Sequence, residues 1–354
     1  MSADLKACRD QIDRIDSELL RLVNERAQWA QKIGHLKNSS VVLRPEREAQ
    51  VIRRLQAENQ GPLGDGAVAS LFIEVMSQCR ALEAPMSVAY LGPAGTFSEA
   101  AALKRFGSAI QGEACGTIDE VFRAVESGEV NYGVVPVENS TEGAVGRTLD
   151  LLLNTPLKVC GEVMLPIHQC LMTKACDLSA VRVVYSHPQS LGQCQGWLNA
   201  HLPQAERRTA SSNAEAARLA SQEPGSAAIA GERAAAQFGL NICVANIEDD
   251  ARNTTRFLVL GAQDVAPSGQ DKTSLVLSAA NRPGAVHDLL VPLARHGVSM
   301  SKLESRPARS GLWEYVFYID IEGHAQEARV AAALLELQSL AAFVKVLGSY
   351  PVAV

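Results

Sequence analysis

The sequence predicts a multidomain chain in three parts: an all-α segment of three helices, an α/β segment, and a terminal βαββαβ module. Three observations predict it. Apolar residues at Leu5, Cys8, Ile12, Ile15, Leu19 and Leu22, then Trp29, Ile33 and Leu36, step by three and four along one helix face. From about Met86 short apolar runs alternate with helical stretches, the pattern of α/β structure with mostly parallel strands. After a polar stretch from Gln263 to Asp271, the chain reads strand, helix, strand, strand, helix, strand.

The first segment runs from residue 1 to about 85. No Pro interrupts the stripe and its one Gly is Gly34, so one helix of about 32 residues and roughly 48 Å is expected. Arg26 falls within the apolar face, and a buried unpaired charge is costly. A second helix starts at Pro45, a residue suited to the first helical position, and runs to about Asn59. Gly61 to Gly66 breaks the chain, and a third helix spans about Ala67 to Glu83. A first helix this long exceeds what its two neighbours cover, so two copies are expected to cover each other in a dimer.

In the second segment, Ser87–Leu91, Tyr132–Val137, Val181–Tyr185, Ala227–Ala230 and Arg256–Leu260 read as strands. Ligands of such folds bind at the carboxyl ends of the strands. In the third segment, residues 272–354, the strands are Thr273–Ala279, Val298–Glu304, Glu314–Ile321 and Phe343–Ser349. The helices are Pro283–His296 and Ala325–Leu340, completing a ferredoxin-like module.

Composition narrows the function classes. The chain has 354 residues and a net charge of −6, and it opens on an amphipathic helix carrying acids rather than a basic and then apolar signal pattern, so a cytoplasmic location is expected. Its eight cysteines are scattered without metal-ligand spacing, so reduced thiols and no bound metal or cofactor are expected. No apolar run spans a bilayer. The first segment carries 12 Lys/Arg and 12 Asp/Glu. That neutrality, and the uninterrupted first helix, argue against the rival reading of a DNA-binding head on a ligand sensor; no nucleic-acid or membrane partner is expected.

Candidate site residues cluster by segment. Arg26 and Lys37 are 11 apart, which puts them within roughly 20° of one helix face and about 16 Å apart along the axis. Arg9 is about 25 Å from Arg26 and roughly 100° around the helix, so it reaches a partner's site more easily than its own. Arg47 and Glu48 are adjacent, and Cys79 and Glu83 lie four apart on the third helix. These charges are either solvated faces and interhelical salt bridges or the wall of a polyanion pocket. In the second segment, "GPAGTFSEAA" follows the first strand, with Ser98 expected to cap a helix beginning at Glu99. "VPVENSTEGAV", "YSHPQSLGQC" and "NTTRFLVL" supply further polar loops. Asp249, Asp250 and Arg252 could form an ion-pair network closing two lobes.

The strings "ERAQWAQKIGHLK", "RPEREAQV" and "SQCRALE" resemble the all-helical class of chorismate mutase, over the whole first segment. The resemblance implies an intertwined dimer in which Arg26 and Arg47 bind the substrate carboxylates and Arg9 comes from the other subunit. Lys37 would donate to the ether oxygen and Glu48 accept from the substrate hydroxyl. Cys79 stands where Ser is common and Glu83 where Gln is common. An ionised Glu cannot donate to that oxygen, so Glu83 is expected to work in its protonated form.

"VENSTEG", "SHPQ" and "TRF", in this order, resemble prephenate dehydratase. That family implies residues 86–265 folded as two α/β lobes similar to periplasmic binding proteins, the first about 86–162 and 247–265, the second about 163–246. Thr255 would be the proton donor to the leaving hydroxyl and Arg256 a carboxylate anchor. Thr96, Asn139, Ser186 and Gln193 would contact substrate, with Glu138 and His187 structural. "NRPGAV" and "ESRP" in the third segment resemble the ACT domain of such enzymes. Gly284, Ala285 and Val286, with Glu304, Ser305, Arg306 and Pro307, would then bind phenylalanine as inhibitor. The expectation is a bifunctional enzyme of phenylalanine biosynthesis, a homodimer or homotetramer that takes chorismate and prephenate as substrates. The alternative within the resemblance is a dehydratase alone, with a helical dimerisation segment.

Overall fold

A computed structural model describes residues 3–36, 43–279, 282–308 and 315–353. The first segment folds as α1 (Ala3–Leu36), α2 (Pro45–Glu58) and α3 (Asp65–Ala81). Pro45 opens α2, where its missing N–H costs no helix bond. The Asn59 amide closes the turn into α3 by donating to Leu63 O and Asp65 Oδ1. Ile52, Ala69 and Met76 form the small core between α2 and α3. The carboxyl end of α1 approaches α3: a Cβ added at Gly34 would sit 3.0 Å from Glu83 Cγ. Along the rest of α1 the apolar stripe faces out, with Ile12 56 % and Leu19 53 % exposed.

The second segment forms two lobes. The first contains β1 (Ser87–Leu91), α4 (Phe97–Phe106), β2 (Gln111–Cys115), α5 (Ile118–Glu126), β3 (Tyr132–Asn139), β4 (Gly143–Ala144), α6 (Gly146–Asn154) and β5 (Lys158–Pro166). The chain then builds the second lobe from β6 (Cys170–Thr173), β7 (Val183–Ser186), α7 (Pro188–Gln193), α8 (Gln195–His201), β8 (Glu206–Thr209), α9 (Asn213–Gln222), β9 (Ser226–Ala230), α10 (Glu232–Phe238) and β10 (Asn241–Val244). It returns as β11 (Thr254–Gly261) between β3 and β5. The two crossovers hold each other: Ile167 N donates to Asn253 O at 2.8 Å, and Ile247 N to Gln169 O at 2.9 Å.

The sheets are mixed rather than mostly parallel. In the first, ordered β2-β1-β3-β11-β5, the pairs β1–β2 and β1–β3 are parallel, while β11 runs antiparallel to both neighbours. In the second, ordered β10-β6-β9-β7-β8, β6 runs antiparallel to β9 and to β10. The antiparallel strands are those that carry the chain between lobes, a constraint that apolar patterning does not encode. Strands β2, β4, β5, β6, β8 and β10 also escaped the sequence reading. Of these, β2 and β8 are polar edge strands with no alternating face.

Two of the eight cysteines are not free: Cys176 and Cys243 form a disulfide. Antiparallel β6 and β10 pair Thr173 with Asn241, which brings the two thiols together across 67 residues of sequence. The expectation of reduced thiols throughout therefore fails. No helix among the described residues is long and apolar enough to cross a membrane.

The third segment is βαββαβ: β12 (Asp271–Ser278), α11 (Ala285–Arg295), β13 (Met300–Pro307), β14 (Tyr315–Glu322), α12 (Ala328–Leu340) and β15 (Phe343–Pro351). Its antiparallel sheet is ordered β13-β14-β12-β15. The helices cover one face through Leu289, Leu293, Val330 and Leu337. The other face packs on the first lobe: Val276, Tyr318, Leu347 and Tyr350 share one core with Val135, Leu149, Val159 and Leu258. The sheet of the third segment thus lies directly behind the strands that carry "VEN" and "TRF".

Candidate functional sites

Thr255 and Asn139 are register partners on β11 and β3, at the ends of those strands where the lobes meet. Asn139 Nδ2 donates to Thr255 Oγ1 and to Asn253 Oδ1, both at 2.8 Å. Asn139 Oδ1 accepts from the Thr141 hydroxyl at 2.6 Å and from the amides of Thr141 and Glu142. The carboxamide is therefore fixed, and the Thr255 oxygen accepts from it. A hydroxyl whose oxygen already accepts is polarised toward donating its own proton.

Arg256 does not face this pair. Neighbouring residues of a strand point to opposite faces, and the Arg256 guanidinium lies in the interface with the third segment. It is 8 % exposed, donates to Glu162 Oε2 at 2.8 Å and Tyr350 Oη at 2.9 Å, and pairs with Asp320. Burial disfavours its charge, but Tyr350, Asp320 and Glu162 outweigh that and hold it above its ordinary pKa. The expectation that Arg256 anchors a substrate carboxylate is overturned by this orientation. Glu138 shares its face and pairs with Lys302.

Thr96, not Ser98, caps α4. Its Oγ1 accepts from Glu99 N and donates to Leu91 O, while Ser98 is buried inside the helix. Glu99 accepts from Gly95 N at 2.8 Å and reaches Arg233 of α10 at 3.4 Å, an ion pair that ties the lobes. Asp249 accepts from the amides of Gly196 and Trp197, capping α8 within the second lobe, and Asp250 pairs with Arg252 two residues on. Among the described residues Asp249, Asp250 and Arg252 therefore form no joint network, and an ion pair between the lobes lies at Glu99–Arg233 instead.

In the second lobe, Ser186 is fully buried and bonds to Ile229 O and Asn213 Oδ1. His187 caps α7 through Nδ1. Gln193 Oε1 accepts from Gln169 Nε2 at 3.2 Å, and Gln169 also reaches Ser190. Sequence reasoning missed Gln169 and Asn253. Each sits on a crossover, is nearly fully buried, and keeps one polar atom, Gln169 Oε1 or Asn253 Nδ2, without a protein partner among the described residues. The Asn that opens "NTTRFLVL" was the available signal.

In the helical segment Glu48 is the best defined side chain. It pairs with Arg80 of α3 and, at 2.9 Å, with Arg105 of α4. Burial pulls the Arg80 guanidinium below its ordinary pKa, and Glu48 offsets part of that. Arg105 belongs to the second segment, so the two segments share this cluster, a link that neither segment's pattern announced. A cavity of about 570 Å³ opens beside it, walled by Ile52 and Met76, by Arg105 of α4 and Met164 of β5, and by Val352. Cys79 is buried, Arg26 half-buried, and Arg9 and Arg47 exposed. Glu83 lies against Gly34, three residues before Lys37 in sequence; Lys37 itself is outside the described residues.

In the third segment Gly284 takes φ +76°, a conformation that favours glycine, and caps α11 ahead of buried Ala285 and exposed Val286. Glu304, Ser305 and Arg306 lie on edge strand β13. Arg306 turns toward α6, with Nη2 3.3 Å from Asp150 Oδ1, while Ser305 and Pro307 are exposed.

Family models divide the chain in the same way. Chorismate mutase type II matches residues 8–84, prephenate dehydratase residues 88–265, and the ACT domain residues 273–338. A bifunctional chorismate mutase/prephenate dehydratase of Neisseria gonorrhoeae is 56 % identical over 98 % of this chain and 96 % of its own length. One of the same description from Pseudomonas aeruginosa is 49 % identical over 99 % and 98 %. Among solved structures, a prephenate dehydratase from Arthrobacter aurescens in complex with L-Phe matches at 34 % identity and a TM-score of 0.69, covering 75 % of this chain and 90 % of that one.

Proposed function

The chain belongs to the bifunctional chorismate mutase/prephenate dehydratase family, and on that premise we propose which of its side chains carry the two reactions and their regulation. It rearranges chorismate to prephenate, then decarboxylates and dehydrates prephenate to phenylpyruvate. The Asn139–Thr255 pair carries the assignment of the second step. Loss of CO₂ pushes electrons through the ring and expels the hydroxyl, which must take up a proton as it leaves. Thr255, its oxygen held by Asn139, donates the hydrogen bond that assists this. Asn253 Oδ1, which accepts from the same Asn139 amide, helps to hold that carboxamide in place. Thr96, Ser186 and Gln193 shape the cleft through the cap and polar network they form.

The first step is intramolecular and needs no nucleophile. The protein must hold a compact conformer and stabilise charge on the breaking ether bond. Arg26 and Arg47 take the carboxylates, Lys37 and Glu83 donate to the ether oxygen, and Cys79 lines the pocket. Glu48, held by Arg80 and Arg105, accepts from the substrate hydroxyl. Arg9 is supplied by a second copy, which covers the exposed stripe of α1. Phenylalanine inhibits by binding at the third segment, against the loop at Gly284, Ala285 and Val286 and against Glu304, Ser305 and Arg306 on β13.

Glu48→Ala and Thr255→Ala, each assayed for both reactions, test the division. Each should lose about 10²-fold or more in one activity and largely keep the other. Parallel loss of both activities in either variant would contradict it.

A further inference from the structure

Strand alternation splits β3 and β11 into two working faces. Asn139 and Thr255 are register partners on one face; Glu138 and Arg256 are register partners on the other. Behind that second face, each charge meets its opposite on the third segment. Lys302 Nζ donates to Glu138 Oε2 at 2.6 Å, and Arg256 Nη1 pairs with Asp320 Oδ2. Lys302 and Asp320 are themselves register partners across β13 and β14. The four charges therefore close a square: two register pairs, one in each sheet, joined by two ion pairs.

The two joints differ. Arg256 and Asp320 are nearly fully buried, and Ser274, Tyr350 and Glu162 brace them. Opening that joint would strand a buried charge. The Glu138 side chain is 38 % exposed and that of Lys302 12 %, so the second joint is an ion pair that meets water on its acid side. One joint is a braced pivot and the other a tether between β13 and β3. Lys302 also lies two residues before Glu304, on the same face of the same strand.

We propose that Lys302 and Glu138 are positioning residues that carry the state of the third segment to Asn139 and Thr255, with Arg256–Asp320 as the pivot. This rests on the reading that phenylalanine inhibits through that segment. A shift of β13 on effector binding is passed through the intact Lys302–Glu138 pair, turns the end of β3, and moves Asn139 relative to Thr255; without the pair, β3 keeps its active position. Energetic coupling of this kind needs an element with two arrangements that both sites bias, and the joint between β3 and β13 would be that element.

The test uses full-length enzyme. Lys302→Met should leave the mutase rate and the uninhibited dehydratase rate within about twofold, yet raise the phenylalanine concentration for half-inhibition about tenfold or more. Phenylalanine should still bind, as read by calorimetry. Glu138→Gln, on the opposite side of the pair and outside the third segment, should uncouple in the same way, and Lys302→Arg should restore inhibition. Unchanged inhibition in both uncoupling variants would overturn the proposal. So would loss of phenylalanine binding in Lys302→Met, because Lys302 would then be an effector ligand. Wild-type enzyme indifferent to phenylalanine would remove the underlying reading, and this inference with it.

Discussion

Two regions of the molecule stand in contrast. Around the dehydratase cleft, one chain supplies the lobes, both crossovers and the Glu99–Arg233 tie, and Asn139 finds its partners at Thr255, Asn253 and Thr141. In the helical segment, ten large apolar side chains of α1 from Leu5 to Leu36 are 42–82 % exposed among the described residues. Fully burying one such side chain is worth about 1.5–3 kcal/mol, so the stripe is a large unspent driving force. The difference teaches where each reaction is encoded. The cleft is folded by one chain, whereas the mutase pocket, on the pairing proposed above, would be shared by two.

That contrast can be broken in several ways. The largest expected effect is at Arg26, a cation on the uncovered face. Arg26→Ala should lower the mutase rate about 10²–10³-fold while the dehydratase stays within about twofold; equal loss of both would mean that Arg26 serves folding. Leu19→Asp, which sets a charge into the stripe, should cost the paired state about 3–5 kcal/mol. Light scattering should show dissociation, with mutase activity falling alongside and dehydratase activity surviving better. An unchanged mass would refute the pairing through α1. The smallest effect concerns Glu83. Glu83→Gln, which keeps a donor toward the ether oxygen, should hold the mutase rate within a few-fold of wild type, whereas Glu83→Ala should lower it about 10²-fold; equal rates in the two variants would remove Glu83 from the site.

The architecture was legible because helix and strand periods differ, and the stripe of α1 and the βαββαβ pattern are long enough to show them. The polar edge strands β2 and β8 carry neither period. Arg256 was a misreading that the sequence could have prevented: if Thr255 faces the cleft, its neighbour on the strand faces away. The cap at Thr96 lies two residues before the expected Ser98, a boundary error within the same motif. The disulfide, the Glu48–Arg105 pair and the Lys302–Glu138 pair join residues 67, 57 and 164 apart. No local pattern encodes such contacts; they follow from how finished segments dock.

The central claim is that each mutase pocket combines Arg26 of one chain with Arg9 of another. Subunit mixing measures this most directly. Arg9→Ala and Arg26→Ala should each be inactive as mutases. In an isologous pair, exchange between the two variants should restore one intact pocket in each mixed dimer, or about one quarter of wild-type mutase activity at equal proportions. Recovery to that level after exchange would support the shared pocket. No recovery, with mixed dimers demonstrably formed, would place Arg9 and Arg26 in the same chain's site and contradict the account.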